Sequence, residues 1–162
     1  MMSLTARIVR DEIQSDPLLR EVGDDGSGAV LLFLGTVRDH ADGRPVARLR
    51  YEAYEPMART VLEEILDEVR ARTGIERLSA VHRVGELEVG ETSVAIAVSS
   101  PHRAEAYEAS RLVIEEIKKR LPIWKKELFV DGREQWVAGA EPEPDGPVGP
   151  RARTSDTGSA SR

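Results

Sequence analysis

The run GAVLLFLGTV (28–37) is apolar at nearly every position and closed by glycine at its start. It is long enough for a buried strand and short for a helix, because strands run to about 4–8 residues and helices to about 10 or more. Downstream, a loop containing Asp42, Gly43 and Pro45 leads into an alternating stretch from Val46 to Tyr54. There Leu49, Tyr51 and Ala53 share one face and Arg48, Arg50 and Glu52 the other, the pattern of a strand with one face in solvent. Pro56 then opens a helix whose Met57, Val61, Leu62, Ile65, Leu66 and Val69 recur at helical spacing, with Gly74 just past its end. Two more strands, Arg77 to Val84 and Thr92 to Ser99, are joined through Gly85 and Gly90 by a connection short enough for an antiparallel pair. A second helix follows, with Ser100 as N-cap, Pro101 at its first position, a stripe of Ala106, Ala109, Val113 and Ile117, and Pro122 as its stop. Lys126 to Val137 reads as a hairpin turning at Asp131-Gly132. Strands that precede, separate and follow two helices predict an α+β domain, a largely antiparallel sheet with two main helices packed on it.

That domain is expected to span residues 1–138, although no element is assigned before Gly28. From Gly139 the composition turns to Pro, Gly, Ser and Thr with scattered charge, and 139–162 is expected to be a disordered tail, since too few apolar groups remain to offset the entropy of ordering it. The 162 residues, 40% hydrophobic and 32% charged, suit one globular core. The longest apolar runs fall far short of the roughly 20 residues of a membrane span, so a soluble, cytoplasmic protein is expected. A formal net charge of −6 argues against nucleic-acid binding, which needs a basic footprint. There is no cysteine, which removes disulfides, thiolate metal sites and a persulfide carried on this chain.

Against that acidic background, KKRLPIWKK (118–126) carries five cations and no acid. The cations can simply complement the negative end of the helix, an effect of about 0.3–1 kcal/mol. The alternative is a site: Pro122 turns the chain so that Lys118 and Lys125 face one pocket, with Trp124 as a wall. Two neighbouring ammonium groups disfavour each other's protonation, which makes a lysine usable as a base or nucleophile. A second anomaly is His102 and Arg103 in the first turn of a helix, where the dipole disfavours cations. Either an acid such as Glu105 pairs with Arg103, or an anion such as a phosphate sits at that terminus. Arg38, where the chain leaves its first strand, is a third candidate. His40 and His82 join no ligand spacing, no glycine pattern matches a phosphate loop, and neither a metal nor a cofactor is assigned.

Four blocks, FLGTVRDH (33–40), HRVGELEVGE (82–91), SSPHRAEAYEA (99–109) and KKRLPIWKKE (118–127), resemble the catalytic large subunits of molybdopterin synthases in order and spacing, over roughly residues 5 to 138. The resemblance implies helices on an antiparallel sheet, a homodimer within a heterotetramer, and a small ubiquitin-like subunit whose C-terminal Gly-Gly thiocarboxylate supplies sulfur. It implies a pterin phosphate substrate, cyclic pyranopterin monophosphate, converted to molybdopterin in molybdenum cofactor biosynthesis. By the same match Lys118 and Lys125 are catalytic, and Thr36, Val37, Arg38, His102, Arg103, Lys126 and Glu127 join them in binding substrate. The rival reading is a noncatalytic binding module for an acidic partner or a phosphorylated metabolite.

Overall fold

A computed structural model describes residues 2–137; the predicted tail, 139–162, lies outside the described residues. In chain order the elements are β1 (Ser3–Val9), α1 (Ser15–Val22), β2 (Ala29–Thr36), β3 (His40–Ala41), β4 (Arg44–Ala53), α2 (Glu55–Thr73), β5 (Arg77–Arg83), β6 (Gly85–Glu88), β7 (Thr92–Ser100), α3 (Arg103–Arg120), β8 (Ile123–Phe129) and β9 (Glu134–Val137). The α+β class and the mostly antiparallel pairing agree with the expectation, but the strands divide into two sheets. One has the order β1-β5-β7-β2; the other runs β3-β4-β8-β9, with β6 also paired to β4. Among the described residues, only β1 and β5 run parallel.

Helices α2 and α3 cover one face of the first sheet, and the short α1, unforeseen in the sequence, covers the other. This explains why β7 is apolar without alternation. Val94, Ile96 and Val98 enter the main core, while Ala95 and Ala97 meet Leu18 and Val22 of α1, so both faces of the strand are dry. Arg77 at the start of β5 ties α1 down by donating to the carbonyls of Val22 (2.9 Å) and Gly23 (3.0 Å), groups that the end of a helix leaves unpaired.

The helix predicted from Pro56 ends where expected. Gly74 adopts the left-handed conformation (φ 75°) and its N–H closes on Arg70 O at 2.9 Å, a backbone state that costs glycine little. Two local expectations are corrected. Ser100 is the last residue of β7 and not a helix cap; His102 holds the N-cap position of α3 and Arg103 its first turn, so Pro101 lies outside the helix. The run read as a buried strand, β2, lies at a sheet edge, with Val30 and Leu34 turned to solvent at 51% and 39% exposure.

Candidate functional site

The two sheets and α3 enclose a cavity of about 260 Å³. Its rim begins where β2 leaves its sheet. A register shift between Gly35 and Thr36 bends the strand, and Val37, buried in the core, anchors the departing chain through Val37 N–H to Glu91 O (2.9 Å) and Gly90 N–H to Val37 O (2.8 Å). Gly35 is required there for space: a Cβ at that position would stand 2.5 Å from Val94 Cγ1. Thr36 and Arg38 thereby reach the cavity from one side.

Lys118 arrives from the last turn of α3, and Lys125 and Glu127 from β8. Leu121 breaks the helix in an extended conformation (ψ 123°) before the buried Pro122, as the residue preceding proline tends to do, and β8 starts at once. The predicted convergence of Lys118 and Lys125 is therefore met, while their neighbours go elsewhere. Lys119 is exposed and faces Glu116 at 3.8 Å. Arg120 ties α3 to α2 through Glu68 at 2.5 Å.

Strand alternation corrects one expectation. With Lys125 and Glu127 turned inward, Trp124 and Lys126 must point to the opposite face of β8. Lys126 pairs with Glu134 at 2.5 Å and lies over the ring of Trp136, while Trp124 shares an outer pocket with Trp136 and Val137. The walls of the cavity are instead Phe33, Leu49, Tyr51 and Ile114, with His40 and Ser93. His102 and Arg103 are also apart from it. They stand at the opposite end of α3 from Lys118, roughly 22 Å away at 1.5 Å per residue, and His102 lines a separate pocket with Glu105 and Ser100.

Three cations, Arg38, Lys118 and Lys125, thus meet one carboxylate, Glu127, whose Oε1 lies 3.7 Å from Lys125 Nζ. Lys118 holds its proton less tightly than an ordinary lysine, first because its ammonium is desolvated and then because Lys125 and Arg38 repel it. Lys118 is solvent-exposed as a whole residue, while its ammonium end lines the cavity. Beneath the cavity His82 is buried and neutral, its pKa brought down to about 4 chiefly by desolvation. Its ring meets Tyr51 edge-on at 5.2 Å. Tyr51 is itself pushed up from the usual phenol value, again mainly by burial. Sequence reasoning missed Tyr51 and Ser93 as site residues; the inward register of Tyr51 within Val46 to Tyr54 was the one available signal. Such a cavity can hold an anionic group against fixed cations and move a proton through Lys118.

The model of the MoaE protein family matches residues 8–120. The chain belongs to the MoaE family. A relative from Bacillus subtilis, a molybdopterin synthase catalytic subunit, is 45% identical over 130 residues, 80% of this chain and 82% of the relative. The solved molybdopterin synthase structure from Staphylococcus aureus matches at 41% identity and a TM-score of 0.78, covering 82% of this chain and 96% of the other. A protein–protein complex of subunits 1 and 2 of molybdopterin-converting factor from Helicobacter pylori shares the fold at 23% identity and a TM-score of 0.69, over 89% and 97% of the two chains. MoaE members so named are catalytic subunits, and membership makes this chain an enzyme. Within the MoaE fold, the matched segment ends at Arg120, so Lys118 lies inside it and β8 with Lys125 beyond it.

Proposed function

We propose that this protein is the cytoplasmic catalytic subunit that converts cyclic pyranopterin monophosphate to molybdopterin, taking sulfur from the C-terminal thiocarboxylate of a small ubiquitin-like subunit. The observation that carries this reading is the meeting of Lys118 and Lys125 in one cavity with Arg38, from elements that Pro122 separates. The thiocarboxylate sulfur attacks a side-chain carbon of the substrate, and opening of its cyclic phosphate develops negative charge that Arg38 and the two ammonium groups stabilise. Water then cleaves the acyl–sulfur bond, leaving one sulfur on the pterin and a carboxylate on the small subunit, and a second thiocarboxylated small subunit supplies the second sulfur of the dithiolene in the same way. Lys118, with its weakened hold on the proton, serves the proton transfers. The absence of cysteine fits a reaction in which sulfur never resides on this chain.

His102 and Arg103 join the same site if a second copy supplies them. Arg103 and Lys118 lie symmetrically about Ser110 and Arg111 of α3, so two copies packed antiparallel about a two-fold axis at that point bring Arg103 of each toward Lys118 of the other. The surface there suits such a contact. Tyr107 is 63% exposed, and beside it an apolar groove of about 570 Å³, formed with Leu31, Phe33 and Ile114, runs along the outer edge of β2 and shares Phe33 and Ile114 with the cavity.

The test is single-turnover conversion of the precursor with saturating thiocarboxylated small subunit. Lys118→Ala and Lys125→Ala should each lower the rate by about 10²-fold or more, as loss of a positioned acid–base or electrostatic group does. Lys119→Ala should change it little, because an exposed lysine near a helix end contributes only a few tenths of a kcal/mol. Equal small effects at all three positions would favour the rival reading, a diffuse cationic surface on a binding module.

A further inference from the structure

We infer that Tyr51 contacts the substrate directly, its phenol oxygen accepting a hydrogen bond from an N–H of the substrate's heterocycle while the phosphate is left to Arg38, Lys118 and Lys125. The inference rests on the substrate class proposed above and assigns a role to a residue outside the family-matched set of binding positions.

Tyr51 is the antiparallel register partner of Lys125, so the two side chains rise from the same face of the sheet as neighbours. The ring is 8% exposed and is held from behind by His82, which is fixed by Nδ1–H donating to Arg83 O at 2.8 Å. The Tyr51 side chain lines the cavity together with Ser93. The Ser93 hydroxyl in turn donates to Gly35 O at 3.2 Å. With that proton engaged, Ser93 Oγ can offer the Tyr51 hydroxyl only an acceptor, and the phenol oxygen's own lone pairs remain for a ligand.

Side-chain acceptors in the cavity are fewer than donors. Arg38, Lys118 and Lys125 can only donate when charged, the Glu127 carboxylate lies 3.7 Å from Lys125, and Thr36, His40 and Ser93 are, with Tyr51, the other polar side chains of the lining. A phosphate needs nothing but donors, whereas a pterin also carries ring and amino N–H groups that must be met by acceptors once water is displaced. Tyr51 supplies one, on the floor between the cations and the apolar walls Leu49 and Phe33.

The experiment is calorimetric titration of the full-length chain with a 6-substituted pterin monophosphate and, separately, with inorganic phosphate. Tyr51→Phe keeps the ring and its contact with His82, so the melting temperature serves as the folding control. It should weaken the pterin phosphate about tenfold, one hydrogen bond, and leave inorganic phosphate unchanged. Ser93→Ala, which frees the hydroxyl to turn, should produce a smaller loss in the same ligand, and it carries the comparison alone if Tyr51→Phe does not fold. Unchanged pterin affinity in these variants, or equal weakening of both ligands, overturns the assignment. Wild-type protein that binds inorganic phosphate and not the pterin phosphate would instead refute the proposed substrate, and this inference with it.

Discussion

Acid should destabilise this fold through His82, by an amount that the structure sets. The imidazole is 4% exposed, packed on Tyr51 and repelled by Lys118, and its pKa falls from 6.5 to about 4. Because the folded value lies below the unfolded one, the unfolded chain takes up a proton at this position as pH drops through about 6.5, while the folded chain refuses it until about 4. Stability is therefore lost between those limits as pH falls, and the contribution is flat above and below them. At about 1.4 kcal/mol per pKa unit the full loss is about 3 kcal/mol, of which about 2 kcal/mol should have gone by about pH 4.5. Carboxylates held low by arginine, Glu21 by Arg7 and Glu68 by Arg120, also lose their stabilisation in acid, so wild type alone cannot isolate the effect. The perturbation is His82→Gln, which keeps a donor for Arg83 O and removes the titration. Urea unfolding of both proteins at intervals from about pH 7 to about pH 4.5 gives the difference in unfolding free energy at each pH. That difference should shrink by about 2 kcal/mol across the series, whatever its starting value. A difference that stays constant with pH would refute the claim that His82 is buried in its neutral form.

The lowered proton affinity of Lys118 predicts that its amine is acylated faster than that of Lys119 at mild alkaline pH, read by peptide mass spectrometry. Lys125→Gln should slow that labelling, since removing the neighbouring cation lets the pKa rise toward its ordinary value; unchanged labelling would mean that Lys125 does not govern it. If sites are shared between copies, a mixture of Lys118→Ala and Arg103→Ala proteins, each nearly inactive alone, should recover activity after exchange, because one site of each mixed dimer then carries both native residues. No recovery after verified exchange would place Arg103 outside the site.

Where a segment's own pattern decided its structure, the sequence was readable. The glycine-bounded run before Val37, the stripe from Val61 to Val69 and the stop at Pro122 each state a local preference that packing did not override. The strand β1 and the eight-residue α1 did not announce themselves, because Ser3–Val9 mixes charge with apolar residues and one or two turns of helix show little periodicity. The four-residue β6 pairs with β4, a partner far away in sequence. At the site, Lys118 and Lys125 stood out as charge anomalies beside a proline. Trp124 was misplaced because a turn was assumed where a strand begins, and a strand sends consecutive residues to opposite faces. Tyr51 and Ser93 looked like ordinary strand residues; only the closure of two sheets on α3 makes them line a cavity. The separation of His102 and Arg103 from Lys118 follows from the length of α3, which sequence alone did specify.

The parallel pairing of β1 with β5 places Ser3 beside Arg77 and Val9 beside Arg83. Strand β1 therefore waits for its partner until two helices and three other strands have been made. During synthesis it must stay unpaired or pair wrongly, and non-local pairing of this kind slows folding. An N-terminal fusion or tag acts on the strand at that stage, so its effect should fall on the yield of folded protein before it falls on the chemistry of a cavity built from later residues.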